Sequence, residues 1–128
     1  MSTDLDCRQS DISDSSIAIQ LELTDLDADR HLLDLDGISL LIFTSMGCAS
    51  CRWARQSLPG MGLPVDRLCW IDAGHNAGLV TRYEVFHLPA LFIVRNGQFH
   101  GALSAPLTSS ELITAVGHAL RRPAEELP

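Results

Sequence analysis

The sequence predicts an α/β fold in which a central mixed sheet is flanked by helices. Three observations carry that reading. Apolar runs of strand character alternate with segments of helical spacing, an Asn96-Gly97 dipeptide joins two neighbouring strand-like runs, and the closing segment has the spacing and end signals of an amphipathic helix. Alternation of strands and helices implies parallel pairing, whereas the Asn-Gly turn adds an antiparallel hairpin, so the sheet is mixed. With 128 residues, 46% of them hydrophobic, the chain suffices for one core and is short for two.

The elements follow in order. Residues 1–16, "MSTDLDCRQSDISDSS", are rich in Ser and Asp and poor in apolar groups, which predicts a mobile acidic tail. Ile17, Ile19, Leu21 and Leu23 then alternate with Ala18, Gln20 and Glu22, the period of a strand buried on one face. "TDLDADRHLLDL" has capping acids at its start and Asp36-Gly37 beyond its end, and predicts a short helix. "ISLLIFTS", residues 38–45, is continuously apolar, as a central strand covered on both faces requires. After it, Trp53, Ala54 and Leu58 support a helix ended by "PGMGLP". "VDRLCWID" (65–72) reads as a second inner strand, and Leu79, Val80 and Tyr83 mark a third helix. "ALFIVRNGQFHGALS" is a hairpin turning at Asn96-Gly97. Thr108 to Glu111 forms a capping box, and Leu112, Ile113, Val116 and Leu120 make the apolar face of the last helix. Arg121 and Arg122 stand at its negative end before Pro123. The folded body is therefore expected over residues 17–122, with 123–128 as a C-terminal tail.

The net charge of −7 is unevenly placed, because residues 1–36 hold ten Asp and Glu against two Arg. The absence of a basic cluster argues against a nucleic-acid surface and against attraction to anionic membranes. All nine basic residues are Arg, so lysine-base and Schiff-base chemistry are excluded. The N-terminus lacks the cationic start and apolar stretch of a secretory signal, and no run approaches the ~20 apolar residues of a membrane span. The expectation is a monomer of the reducing cytoplasm, where cysteines are reactive or buried rather than permanently bridged.

Of the four cysteines, Cys48 and Cys51 form a motif, within "SMGCASCRWARQSL". Such a pair can be a redox dithiol, half of a metal site, or two incidental thiols. A metal site needs two further ligands. Cys69 lies in an expected inner strand, Cys7 in the tail, and His75, His87 and His100 show no paired spacing, so neither a metal nor an organic cofactor is expected. Cys48 falls at the N-terminal end of its helix, where free backbone N–H groups and the positive dipole end favour a thiolate, which makes it the attacking sulfur. Cys51, one turn deeper, is placed to resolve. Cys69 reads as a small core residue, Asp72 as a solvated strand-end carboxylate, and Trp53, Trp70, Tyr83 and Phe86 as packing residues.

The strand "LLIF" leading into Cys48-Ala49-Ser50-Cys51, the block "RYEVFHLPALFIVRNGQ" with Pro89, and the closing "LTSSELITAV" resemble the thioredoxin family over roughly residues 17 to 122. The resemblance implies a thioredoxin-like fold and a thiol-disulfide oxidoreductase. Cys48 would attack a protein disulfide and Cys51 would release the product, in exchange with an electron donor or acceptor that the sequence does not identify. It also implies a cis peptide at Pro89, with Leu88 offering backbone groups to an extended substrate. His87, two residues before that proline, and Arg52, directly after the pair, become candidates for tuning the Cys48 pKa. Four departures stand out. Gly47 replaces the usual Trp, Ala49-Ser50 replace Gly-Pro, Ile42 stands where thioredoxins carry a buried Asp, and the Lys accompanying that Asp is missing. They point away from a general housekeeping thioredoxin and define the alternative: a binding or chaperone-like module, or a redox sensor, of low turnover.

Overall fold

The computed structural model describes residues 18–128. The expected mobile tail, with Cys7, and Ile17 lie outside them. The elements are β1 (Ile19–Leu23), α1 (Ala28–Asp34), β2 (Ile38–Thr44), α2 (Ala49–Ser57) running into a 3-10 turn (Leu58–Gly60), β3 (Arg67–Asp72), α3 (Ala77–Arg82), β4 (Ala90–Arg95), β5 (Gln98–Leu103) and α4 (Ser109–Leu120). Their order is the one expected from the sequence. The five strands form one sheet in the order β1-β3-β2-β4-β5. β1, β3 and β2 run parallel, and β4 and β5 are antiparallel additions.

The uninterrupted apolar run of β2 follows from its central place. Leu41 and Phe43 face one core with Leu32 of α1 and Leu79 of α3, and Leu40 and Ile42 face a second with Ala54 of α2 and Leu112 of α4. Period-two side-chain alternation thus loads both faces of one strand. Ile42 is fully buried and stands opposite Trp70 of β3 and Leu91 of β4. In the first core Phe43, Tyr83, Phe92 and Phe99 pack ring on ring, with centroids 5.3 Å apart for Tyr83–Phe92 and 6.0 Å for Phe92–Phe99. At the hairpin, Asn96 and Gly97 both have positive φ (52° and 79°), the signature of the two-residue turn that matches strand twist.

Several expectations are corrected. Burial along β1 rises only towards Leu23, with Ile19 exposed, because β1 is a sheet margin and α1 covers its far end. On α4 the buried stripe is Leu112, Val116 and Ala119, an i, i+4, i+7 set, and Ile113 lies beside it at 41% exposure. Trp70 and Tyr83 are packed as expected, but Trp53 is half exposed and Phe86 is 89% exposed. The Thr108 hydroxyl accepts from the Glu111 N–H as a capping box requires. The reciprocal bond is altered, since Glu111 Oε1 accepts from the Thr108 hydroxyl (2.9 Å) while the Thr108 N–H turns to the Pro106 carbonyl (2.8 Å). Within the C-terminal tail, residues 123–126 are exposed but the segment is held at two points. Glu125 bridges to Phe99, and Leu127 rests on the first core.

The acids before α1 do not cap it. Asp27 accepts from the Thr24 N–H (2.8 Å), outside its own helix. Asp25 reaches across to the start of α3, where its carboxylate accepts from the N–H groups of Gly78 (3.2 Å) and Leu79 (2.8 Å). Buried Asn76 locks this arrangement, accepting from the Asp25 N–H (2.8 Å) and donating to the Asp72 carbonyl (2.9 Å). Asp25→Ala should therefore lower stability by about 1–2 kcal/mol in a denaturant melt, the cost of an orphaned helix start. An unchanged midpoint would contradict this role.

Candidate redox site

The loop after β2 delivers Cys48 to the N-cap of α2 in an extended conformation (φ −101°, ψ 116°). Its sulfur does what a capping Ser or Asp oxygen does elsewhere, accepting the Cys51 N–H at 3.2 Å. A thiolate satisfies that position better than a thiol, because the N–H and the helix dipole both present positive charge. Cys48 is held below the ordinary thiol range. The largest cause is the hydrogen bond from the Cys51 thiol, followed, against a desolvation cost, by the backbone N–H groups of Cys51 and Ser50 and by the charge of Arg52.

Cys51 has the opposite environment. It is 1% exposed, and its thiol is pushed up to about 11, first by burial and then by its hydrogen bond to Cys48. One sulfur is therefore the more readily ionised and half open to solvent while its neighbour is a buried thiol. Both cysteines are free thiols, as is Cys69. Cys69 is fully buried in the first core, and burial pushes its thiol up to about 11, in keeping with a packing role.

Of the other sequence-derived residues, Leu88 and Pro89 come to the site. The Leu88-Pro89 peptide is cis, and the Leu88 carbonyl lies 3.9 Å from Cys48 Sγ, a long sulfur contact. Arg52 is anchored by its bond to the Met46 carbonyl (2.8 Å), and its charge favours both thiolates. His87 is exposed and makes no hydrogen bond to Cys48. It lines a groove of about 610 Å³ that starts at Ser50 and Pro89 and passes over Tyr83 and Phe92 to the segment 102–107. Sequence reasoning missed the two exposed apolar side chains, Met46 before the pair and Phe86 before His87. No pattern marks them, because their exposure is set by the two loops that carry them.

A second, smaller cavity of about 220 Å³ lies behind the pair, lined by Thr44, Ser45, Met46, Cys51, Arg52, Arg55 and Asp72. Asp72 accepts from His75 Nδ1 (2.9 Å) and from the Gly74 N–H (2.8 Å), and these bonds, His75 first, hold its carboxyl below the usual range. A carboxylate so stabilised is a weak proton acceptor. Arg55, which also lines this cavity, lies over the Trp70 ring (4.4 Å), whose indole N–H is committed to Gln20 (2.8 Å). Among the described residues, no three His, Cys, Asp or Glu side chains gather as metal ligands would.

No family model matches the chain, and no curated protein does. Solved structures are similar in fold. The human ERp44 zinc-bound form superimposes with a TM-score of 0.65 at 16% identity over 77% of this chain. This chain spans only 31% of the ERp44 chain. The first thioredoxin domain of mouse protein disulfide-isomerase A4 gives 0.62 at 22% identity, covering 76% of this chain and 72% of that one. The chain thus has a thioredoxin-like α/β fold, with Cys48 and Cys51 spaced as a CxxC motif.

Proposed function

With a thioredoxin-like fold bearing a CxxC pair as the premise, we propose that the chain is a thiol-disulfide oxidoreductase acting on protein disulfides. The observation that carries this reading is the opposed environment of the two sulfurs, Cys48 capping α2 and Cys51 buried with its thiol raised to about 11. In the proposed cycle the Cys48 thiolate attacks one sulfur of a client disulfide. The S–S bond breaks, its electron pair leaves on the second client sulfur, and a mixed disulfide forms. Cys51 then gives up its proton and attacks Cys48. The client leaves as a dithiol, and the chain is left with a Cys48–Cys51 disulfide. An external dithiol must reduce it again. The groove beyond Pro89 suits an extended client segment, with the Leu88 backbone beside the reacting sulfur and His87 on the rim. No cofactor enters this cycle.

Insulin reduction by dithiothreitol tests it. The parent should accelerate precipitation, and Cys48→Ser should fall to the uncatalysed background. A parent no faster than that background would sink the catalytic reading.

One observation favours a second reading. Among the described residues that line the cavity with Cys51 the one carboxylate is Asp72, which His75 holds below its usual range, and Ile42 stands where thioredoxins carry an Asp. Resolution is then the slow step, the mixed disulfide persists, and the chain behaves as a client-holding module or a redox sensor rather than a rapid reductase. Quenched-flow measurement of mixed-disulfide decay separates the two readings.

A further inference from the structure

The redox pair and the packed Cys69 account for three of the four cysteines, and the start of the described chain fixes how far the fourth, Cys7, can reach. Ala18, the first described residue, is tied down. Its N–H donates to the Pro59 carbonyl (3.1 Å), and its side chain packs against the second core. Pro59 lies in the 3-10 turn that ends α2, whereas Cys48 caps the start of the same helix. Tether point and reacting sulfur are therefore separated by the length of one helix, roughly 17 Å at about 1.5 Å per residue. Cys7 stands eleven residues before Ala18. A chain of that length spans up to roughly 36–40 Å, about twice the separation.

Charge favours the same path. Residues 1–17 hold four Asp against one Arg, and Asp6 adjoins Cys7. The helix along which they must pass carries Arg52 and Arg55 and no acid. Arg55 is paired with Glu22, but the exposed Arg52, directly after the pair, bonds the neutral carbonyl of Met46 and keeps its charge for an incoming anion.

The chemistry of Cys51 leaves room for a second thiol. Its side chain is buried, and its thiol is pushed up to about 11. An ordinary thiol titrates near ~8.5 and holds roughly 300-fold more thiolate at neutral pH. The weaker nucleophilicity of the lower-pKa thiolate gives back only about a factor of 10–20. Cys48, the sulfur to be attacked, is half open to solvent.

We propose that Cys7 is a second resolving thiol for Cys48. The proposal rests on the oxidoreductase reading above. Cys7 gives its proton to solvent, and its sulfur attacks the Cys48 sulfur of the mixed disulfide. The Cys48–client S–S bond breaks, its electron pair leaves on the client sulfur, which takes up a proton, and a Cys7–Cys48 disulfide forms. Over both steps the client gains the two electrons that Cys7 and Cys48 lose, and Cys51 stays a thiol.

The test uses the full chain and a peptide whose single cysteine is disulfide-linked to thionitrobenzoate. Offered below one equivalent at mildly acidic pH, where Cys48 is the most reactive thiol, the peptide loads Cys48, and release is followed after a shift to neutral pH. Cys51→Ser should release it within minutes and yield a Cys7–Cys48 linked pair in peptide mapping, at a rate independent of protein concentration. Cys7→Ser with Cys51→Ser should hold it at least about tenfold longer, because the tethered thiol is gone. Equal release from the two, or a rate that rises with protein concentration, overturns the proposal while leaving the oxidoreductase reading intact. Failure of Cys48 to take up the peptide in every variant sinks that reading, and the proposal with it. If circular dichroism shows Cys51→Ser unfolded, Cys51→Ala with and without Cys7 is read in the same way.

Discussion

A Cys51→Ser variant is expected to hold a disulfide-containing peptide covalently on Cys48 for minutes to hours, the range of uncatalysed disulfide rearrangement, whereas Cys48→Ser captures none. The asymmetry follows from geometry. Cys48 is half open beside the groove, and Cys51 is buried behind it. Variants at position 51 also report on the Cys48 thiolate through the pH dependence of alkylation. Cys48 sits below the ordinary thiol range chiefly because the Cys51 thiol donates to it. Cys51→Ala deletes that donor, so the alkylation midpoint should move to higher pH. Cys51→Ser keeps an O–H in its place and should move it less. Mass spectrometry of iodoacetamide labelling across pH reads both shifts. A midpoint that stays put in Cys51→Ala would show that the helix end alone sets the reactivity of Cys48.

The second large effect is expected at Ile42. An Asp there replaces a fully buried, close-packed side chain with a group that loses both its contacts and its water, at a cost on the order of 4 kcal/mol at neutral pH. The sign of the pH dependence is fixed by burial. Desolvation raises the folded-state pKa of the introduced carboxyl above its unfolded value, so the variant is most stable below the unfolded value near 4 and weakens as pH rises through the folded one. Urea melts at acid and at neutral pH should therefore diverge in the variant more than in the parent. Under the slow-resolution reading, a carboxyl with a raised pKa at the position where thioredoxins carry an Asp should quicken decay of the mixed disulfide even as the fold weakens. Unchanged decay in a folded variant would mean that proton removal from Cys51 is not what limits resolution.

Much of this architecture was legible because β2, β3 and the hairpin carry local signals that tertiary packing reinforces. The run from Ile38 to Thr44 is apolar because both faces are covered, and Asn96-Gly97 is a turn because both residues adopt positive φ. The CxxC pair was legible for the same reason, since its chemistry depends on a strand-to-helix junction that pattern reveals. What the pattern could not reveal were contacts between distant segments. Asp25 reads as a cap for the helix that follows it, yet it serves α3, more than fifty positions away. Residues 123–128 read as a tail because one bridge pair and an Arg side chain leave no periodicity. Phe86 and Trp53 read as packing because hydrophobicity does not say which way a loop or a short helix turns.

The strand that delivers Cys48 stands at the middle of the sheet, flanked by neighbours on both sides and roofed on both faces. Partial opening at the sheet margins or at helix ends would leave that strand in place. Amide hydrogens from Leu40 to Phe43 should then exchange only through whole-molecule unfolding, whereas those of β1 exchange sooner. The footing of Cys48 is thus as durable as the fold, whereas the lowering of its pKa depends on the first turn of α2, which can open locally.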